Sequence, residues 1–220
     1  MKNSIFPEEL SEKLGKSGIV AVLVIDKPED ATPLAEALLS GGISMMELTL
    51  RTPAAIKALK MIVKNVPEMT PGIGTIISPE QVDEVKEAGA AFGLAPGSNA
   101  EVIRKTVEAG FPFIPGIATP SDIETALSFG CRILKFFPAE TGGGLKHLES
   151  MSAPYAHLDI KYIPLGGLKE DNFPSYLKNP SVIAVGGSWL AKREEIAAHK
   201  WREITEKARK AVEIIKTMKG

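Results

Sequence analysis

Eight short apolar runs, each followed by a helical pattern, predict an α/β fold with the unit count of a compact (β/α)8 (TIM) barrel. The repeating unit is roughly twenty residues long, and its helical segments close on glycine: SGG (40–42), EAGA (87–90), EAG (108–110) and SFG (128–130). Glycine takes the left-handed conformation past a last helical turn at least cost. Helix starts recur as a hydroxyl followed by proline, at Thr32-Pro33, Thr52-Pro53, Ser78-Pro79 and Thr119-Pro120. Strict alternation implies parallel strands joined by right-handed crossovers. No linker, low-complexity tract or composition break interrupts residues 1–220, so a single domain is expected.

The elements follow in chain order. PEELSEKLGKSG (7–18) predicts an extra N-terminal helix that closes at Gly15 or Gly18. IVAVLVI (19–25), SMMELTL (44–50), TPGIGTI (70–76) and AFGLAPG (91–97) are the first four strands. PFIPGIA (112–118), RILKFFPA (132–139), DIKYIPLGG (159–167) and VIAVGGSWL (182–190) are the rest. Ser78 with Gln81 has capping-box spacing for the helix after the third strand. The last helix, over residues 194–219, carries an apolar stripe of Ile196, Trp201, Ile204, Ala208, Ala211 and Ile215.

In such a barrel chemistry sits at the C-terminal ends of strands, and strand alternation sorts the polar residues there. Met45, Glu47, Thr49 and Arg51 share one face of the second strand, opposite the apolar Met46, Leu48 and Leu50. A carboxylate and a guanidinium therefore point inward near the mouth, although a Glu–Arg pair tying neighbouring elements explains the same pattern. Thr75 ends the third strand, where a cap or turn hydroxyl would look alike. Lys135 lies within the apolar stretch RILKFFPAE, so its amine reaches water only through the mouth. Burial disfavours the charged form, and a neutral amine is a nucleophile toward carbonyl carbon. A structural ion pair with Glu47 is the alternative. The pairs Gly166-Gly167 and Gly186-Gly187 end the seventh and eighth strands, a frequent phosphate site in barrels, although glycine also serves plain turns.

Composition excludes several function classes. The chain is 44% apolar and 24% charged with net charge −1, so neither nucleic acid nor an acidic membrane surface is an expected partner. A lone cysteine, Cys131, permits no internal disulfide and points to a reducing, cytoplasmic compartment. The N-terminus lacks an apolar signal region, and GIVAVLVI (18–25) is too short to span a bilayer. His147, His157 and His199 have no ligand spacing, so no metal site is expected, and no cofactor. Trp189, Trp201 and Cys131 read as packing residues, KWREITEKARK as a solvated helix face. GIGTI lacks dinucleotide-fingerprint spacing.

The motifs GGISMMELTLRT, GIGTI, AAFGLAPG, FIPGIATPSDI, LKFFPAE, IPLGGL and VGGSWL together resemble one family. It is that of the 2-keto-3-deoxy-6-phosphogluconate (KDPG) and 4-hydroxy-2-oxoglutarate (KHG) aldolases, class I lyases on a compact (β/α)8 barrel. The resemblance runs from about residue 17 to 191, and LKFFPAE with GGSWL is its most specific part. It implies Lys135 as the Schiff-base lysine and Glu47 as the general acid/base. Arg51 and Thr75 would hold the pyruvate-derived carboxylate, and Phe137 and Pro96 would wall the pocket. Gly166, Gly167, Gly186, Gly187 and Ser188 would hold phosphate, and the assembly would be a homotrimer. Two departures bear on the substrate. Family members commonly have threonine at Leu165 and serine at Ala95, so substrate hydroxyls meet different groups here. The expected reaction is cleavage of KDPG to pyruvate and glyceraldehyde 3-phosphate. Alternatives are the same chemistry on the galactonate epimer or on 4-hydroxy-2-oxoglutarate, a metal-dependent pyruvate aldolase, and a non-catalytic phospho-sugar binding barrel.

Overall fold

A computed structural model of the chain describes residues 5–219. Nine strands, all but β5 and β6 separated by helices, are β1 (Ile19–Leu23), β2 (Met45–Thr49), β3 (Thr70–Gly74), β4 (Phe92–Leu94), β5 (Phe113–Ile114), β6 (Gly116–Ile117), β7 (Ile133–Phe136), β8 (Lys161–Pro164) and β9 (Val185–Gly187). The helices are α1 (Glu8–Ser17), α2 (Ala31–Ser40), α3 (Ala55–Asn65), α4 (Pro79–Glu87), α5 (Ala100–Glu108), α6 (Pro120–Ser128), α7 (Gly144–Ser152), α8 (Phe173–Leu177), α9 (Arg193–Ala197) and α10 (Trp201–Lys219). Every strand pairing is parallel. A six-stranded sheet runs β5-β4-β3-β2-β1-β9, and a three-stranded sheet runs β6-β7-β8.

The expected fifth strand is divided. Pro115 separates β5 from β6, because proline has no N–H to give a ladder. Its carbonyl still accepts from Lys135 N at 2.9 Å, so β5 pairs with β4 while β6 pairs with β7. The eighth run also forms less strand than its length predicts. A single parallel bridge joins Tyr162 to Val182 ahead of β9, flanked by Ile183 N donating to Tyr162 O at 3.0 Å.

Alternation sorts two apolar layers. Met46, Leu48, Ile73 and Leu134 face the helices, and Met45, Phe92, Leu94, Ile133 and Ile163 face inward. The extra N-terminal helix, α1, ends at Gly18, whose φ of 66° is left-handed. Phe6, Leu10 and Leu14 join the inner layer at the N-terminal ends of the strands, with the Phe6 ring edge-on to Phe92 at 6.3 Å. One end of the interior is thereby closed with apolar side chains.

Helix punctuation divides by position. Gly42, Gly89, Gly110 and Gly130 all take positive φ after their helices. Ser78 and Thr119 cap α4 and α6, each in a capping box. The other two hydroxyl–proline pairs do not cap. Asp30 precedes α2, which places Thr32 inside its first turn, and Ala54 precedes α3. Thr52 instead donates to Ile25 O, tying the loop after β2 to that after β1. The long terminal helix is also broken, because His199 takes φ 53° between α9 and α10 while its ring hydrogen-bonds Asp30 at 2.9 Å. Among the described residues no helix is long and apolar enough to cross a membrane.

Cys131 is 1% exposed, and burial pushes its thiol from 9.0 up to about 12. In folded protein at pH 8 its thiolate fraction is about a thousandfold below that of an exposed cysteine. Labelling by iodoacetamide is expected only on unfolding. Between pH 9.0 and about 12 the unfolded chain ionises this thiol and the folded chain does not, so stability falls as pH rises through that window. Rapid native-state labelling at pH 8 would contradict the burial.

Candidate active site

A cavity of about 340 Å³ opens at the C-terminal ends of the strands, opposite the end closed by α1. Its wall includes Glu47, Arg51, Thr75, Pro96, Lys135, Phe137, Leu165, Gly166, Gly186 and Ser188. Val22 and Thr49 complete it, and neither drew attention in the sequence beyond its place in a strand. Gly167 and Gly187 are not on the wall. A Cβ on Gly167 would press on Glu140, and one on Gly187 on Trp189. Exposure grades with depth: Glu47 and Lys135 are buried at the floor, while Arg51, Pro96 and Ser188 are exposed at the mouth.

The floor is an ion pair. Lys135 on β7 donates from Nζ to Glu47 Oε1 on β2 at 3.1 Å, with the residues 5% and 0% exposed. Each belongs to a different sheet, so the pair crosses the interior. The ion-pair partner that the sequence offered for Lys135, Glu47, is the one the structure shows. Glu47 Oε2 is buried with no hydrogen-bond partner among the described residues, leaving a carboxylate oxygen for a ligand or proton. Room for this carboxylate comes from Gly74, paired to Thr49 on the adjacent strand: a Cβ there would lie 1.7 Å from Glu47 Oε1. The Phe137 ring stands 5.2 Å from Lys135 Nζ and shields one side of the amine.

Arg51 makes no ion pair among the described residues, so the Glu47–Arg51 tie suggested by strand alternation is absent. Its Nε donates to Thr49 Oγ1 at 3.2 Å, and that hydroxyl donates to Leu23 O at 3.0 Å. Thr49 therefore fixes the guanidinium stem and leaves its charge free for an anion. Thr75 follows β3 with φ 68°, unfavourable for a β-branched residue. The turn aims its side chain toward the cavity it lines. On the far wall Leu165 is 3% exposed, and Gly186 accommodates it, since a Cβ there would sit 2.2 Å from Leu165 Cγ. Gly166 lies against the Phe137 ring with φ 96°. Among the described residues no three His, Cys, Asp or Glu side chains gather to hold a metal ion.

The cavity thus offers a shielded amine beside a carboxylate, a free guanidinium, and main-chain groups at two glycine turns. Together these can hold and polarise an anionic carbonyl compound.

Comparison with known proteins gives the same picture of relatedness. Residues 10–207 match the family described as KDPG and KHG aldolase. The KHG/KDPG aldolase of Escherichia coli K12 is 40% identical over 195 residues, covering 89% of this chain and 91% of that protein. A crystal structure of KDPG aldolase from Legionella pneumophila, with pyruvate captured at low pH as a covalent carbinolamine intermediate, superposes with a TM-score of 0.86. It is 39% identical and covers 95% of this chain and 98% of its own. That of the Zymomonas mobilis enzyme with 3-phosphoglycerate has a TM-score of 0.83 at 37% identity, covering 91% and 94%.

Lys135→Met leaves Glu47 buried without its cation and is expected to lower stability by about 3–5 kcal/mol. Urea denaturation measures the loss, and Lys135→Met combined with Glu47→Leu is expected to recover most of it. A loss in the double variant equal to the sum of the losses in Lys135→Met and Glu47→Leu alone would show that the two groups are not coupled.

Proposed function

The chain belongs to the KDPG and KHG aldolase family, and from that premise we propose that it cleaves 2-keto-3-deoxy-6-phosphogluconate to pyruvate and glyceraldehyde 3-phosphate. The single observation that carries this is the buried Lys135–Glu47 contact at 3.1 Å facing the cavity. Lys135 Nζ attacks the C2 ketone, and loss of water gives a protonated imine that withdraws electrons from C3. Glu47 takes the C4 hydroxyl proton as the C3–C4 bond breaks, releasing the aldehyde. The remaining enamine takes a proton at C3, and hydrolysis of the imine frees pyruvate and regenerates the amine. Glu47 is within reach of Nζ, so it also serves the proton transfers of imine formation.

Arg51, with Thr75, binds the carboxylate next to C2; the free charge of Arg51 and its Thr49 brace support this. Pro96 and Phe137 wall the reacting carbons. Phosphate sits at the other end, on main-chain N–H groups at Gly166 and Gly186 and on Ser188, with Gly167 and Gly187 shaping the two turns from behind the wall. The Zymomonas relative holding 3-phosphoglycerate supports a phosphate-bearing ligand. Leu165 favours a second substrate, 4-hydroxy-2-oxoglutarate, because a buried apolar branch offers no partner to the hydroxyls of a longer sugar acid. The Escherichia coli relative's name joins both activities.

The two sheets are proposed to close as one (β/α)8 barrel in a single domain spanning the chain. Pro115 as a shared strand and the Tyr162–Val182 bridge support closure at the two seams. The working form is taken as a cytoplasmic homotrimer without cofactor, to be weighed by light scattering.

Pyruvate with borohydride is expected to add a reduced adduct to the Lys135 peptide, detected by mass spectrometry. An unchanged mass, where a known class I aldolase is trapped, removes the imine mechanism. Glu47→Gln should still be trapped by pyruvate yet turn over about 10²–10⁴-fold more slowly. Full activity would reassign the proton transfer. Gly74→Ala is expected to reproduce that slowing, because its methyl group displaces the carboxylate.

A further inference from the structure

The loops that follow β7 and β8 run side by side to the mouth. Beyond the strands, Leu165 N donates to Phe136 O at 2.9 Å, Ala139 N to Leu165 O at 2.7 Å and Glu140 N to Gly166 O at 3.0 Å. Glu140 then does more than extend this ladder. Its Cβ lies where a Cβ on Gly167 would be only 2.6 Å away, so its stem is seated on the turn. Gly166 and Gly167 both have positive φ, 96° and 83°, which leaves this turn no side chain of its own to hold it. On its other flank Asn172 accepts from Lys169 N at 2.7 Å and donates to Gly167 O at 3.5 Å.

The carboxylate of Glu140 is held in turn. Tyr176, on α8 and 1% exposed, donates its hydroxyl to Glu140 Oε1. Burial, then the carboxylate itself, pushes this phenol above its ordinary range, so it remains a donor. A buried donor committed to an otherwise exposed carboxylate is costly to leave unpaired, and it restrains a side chain that would otherwise sample solvent. Neither residue lines the cavity.

We propose that Tyr176 and Glu140 are a positioning pair that sets the Gly166–Gly167 turn for the phosphate end of the substrate, without touching the reacting atoms. The proposal rests on the reading that phosphate binds at these glycines. It predicts an effect confined to one end of the substrate: the turn loosens, while Lys135, Glu47 and Arg51 stay as they are.

The test compares KDPG with 2-keto-3-deoxygluconate, the same carbon chain without phosphate, in Tyr176→Phe, Glu140→Ala and Glu140→Gln. Tyr176→Phe and Glu140→Ala are expected to raise KM for KDPG about tenfold, the low end of the scale of one charge-assisted hydrogen bond. Their kcat, their trapping by pyruvate and borohydride, and their KM for the unphosphorylated acid should stay within about twofold, a fraction of that bond's worth. Glu140→Gln keeps an oxygen that accepts from Tyr176 and should behave as the unsubstituted protein. Equal changes for both substrates, or none for either, overturn the pair. So does a lowered KM in Glu140→Ala, which would make the carboxylate a repulsive charge and not a brace. If the unsubstituted protein shows no preference for KDPG, the phosphate reading itself fails and the pair with it. If the preference is present and the variants keep it, the pair alone is refuted. Should Tyr176→Phe fail to fold, Glu140→Ala at its exposed position gives the same comparison.

Discussion

The contact between Lys135 and Glu47 is the constraint around which the interior is arranged. It joins β2 of the larger sheet to β7 of the smaller one, 88 positions apart in the chain. Two charges taken out of water in this way repay their desolvation only if they meet in good geometry, so neither strand can shift its register alone. Gly74 shows how far the fold yields to that demand, because any side chain there would occupy the place of the carboxylate. The apolar residues below the pair, among them Met45, Phe92 and Ile133, keep water from the floor.

Above this floor the wall is built by neighbours more than by the residues that face the cavity. Arg51 is aimed by Thr49, Leu165 has room because position 186 is glycine, and Gly166 lies against Phe137. The same economy appears where strands end: hydrogen bonds between the β7 and β8 loops carry the ladder outward, so a glycine turn inherits rigidity from its partner loop. A site with a fixed apolar floor and a braced, polar rim can hold both ends of an extended anion at a set separation.

Much of this was legible in the sequence, and the exceptions share a cause. Period-2 alternation identified the inward face of β2, and glycine stops marked the ends of α2, α4, α5 and α6, because both are local rules. Whether Glu47 meets Arg51 or Lys135 was not legible, since it depends on how distant strands register across the interior. Thr52 looked like a cap but serves a neighbouring loop, a tertiary use that its Thr-Pro signature does not encode. Pro115 was visible in its run, yet its division of one strand between two sheets follows only once both neighbours are known. Glu140 and Tyr176 gave no signal at all: one sits in a motif noted for its lysine, the other among the unremarked apolar residues of a short helix.

The seal made by α1 has a kinetic meaning. Among the described residues, Phe6, Leu10 and Leu14 fill the N-terminal end, so the interior is a well closed there and open at the other end. Whatever is attached to Lys135 is at the bottom of that well, and whatever is held by the glycine turns is near the top. On the aldolase reading the aldehyde must depart before pyruvate can, and in the synthetic direction pyruvate must arrive first. On that reading traffic through this site is last in, first out, and a helix that never meets the substrate adds a steric reason to the covalent one.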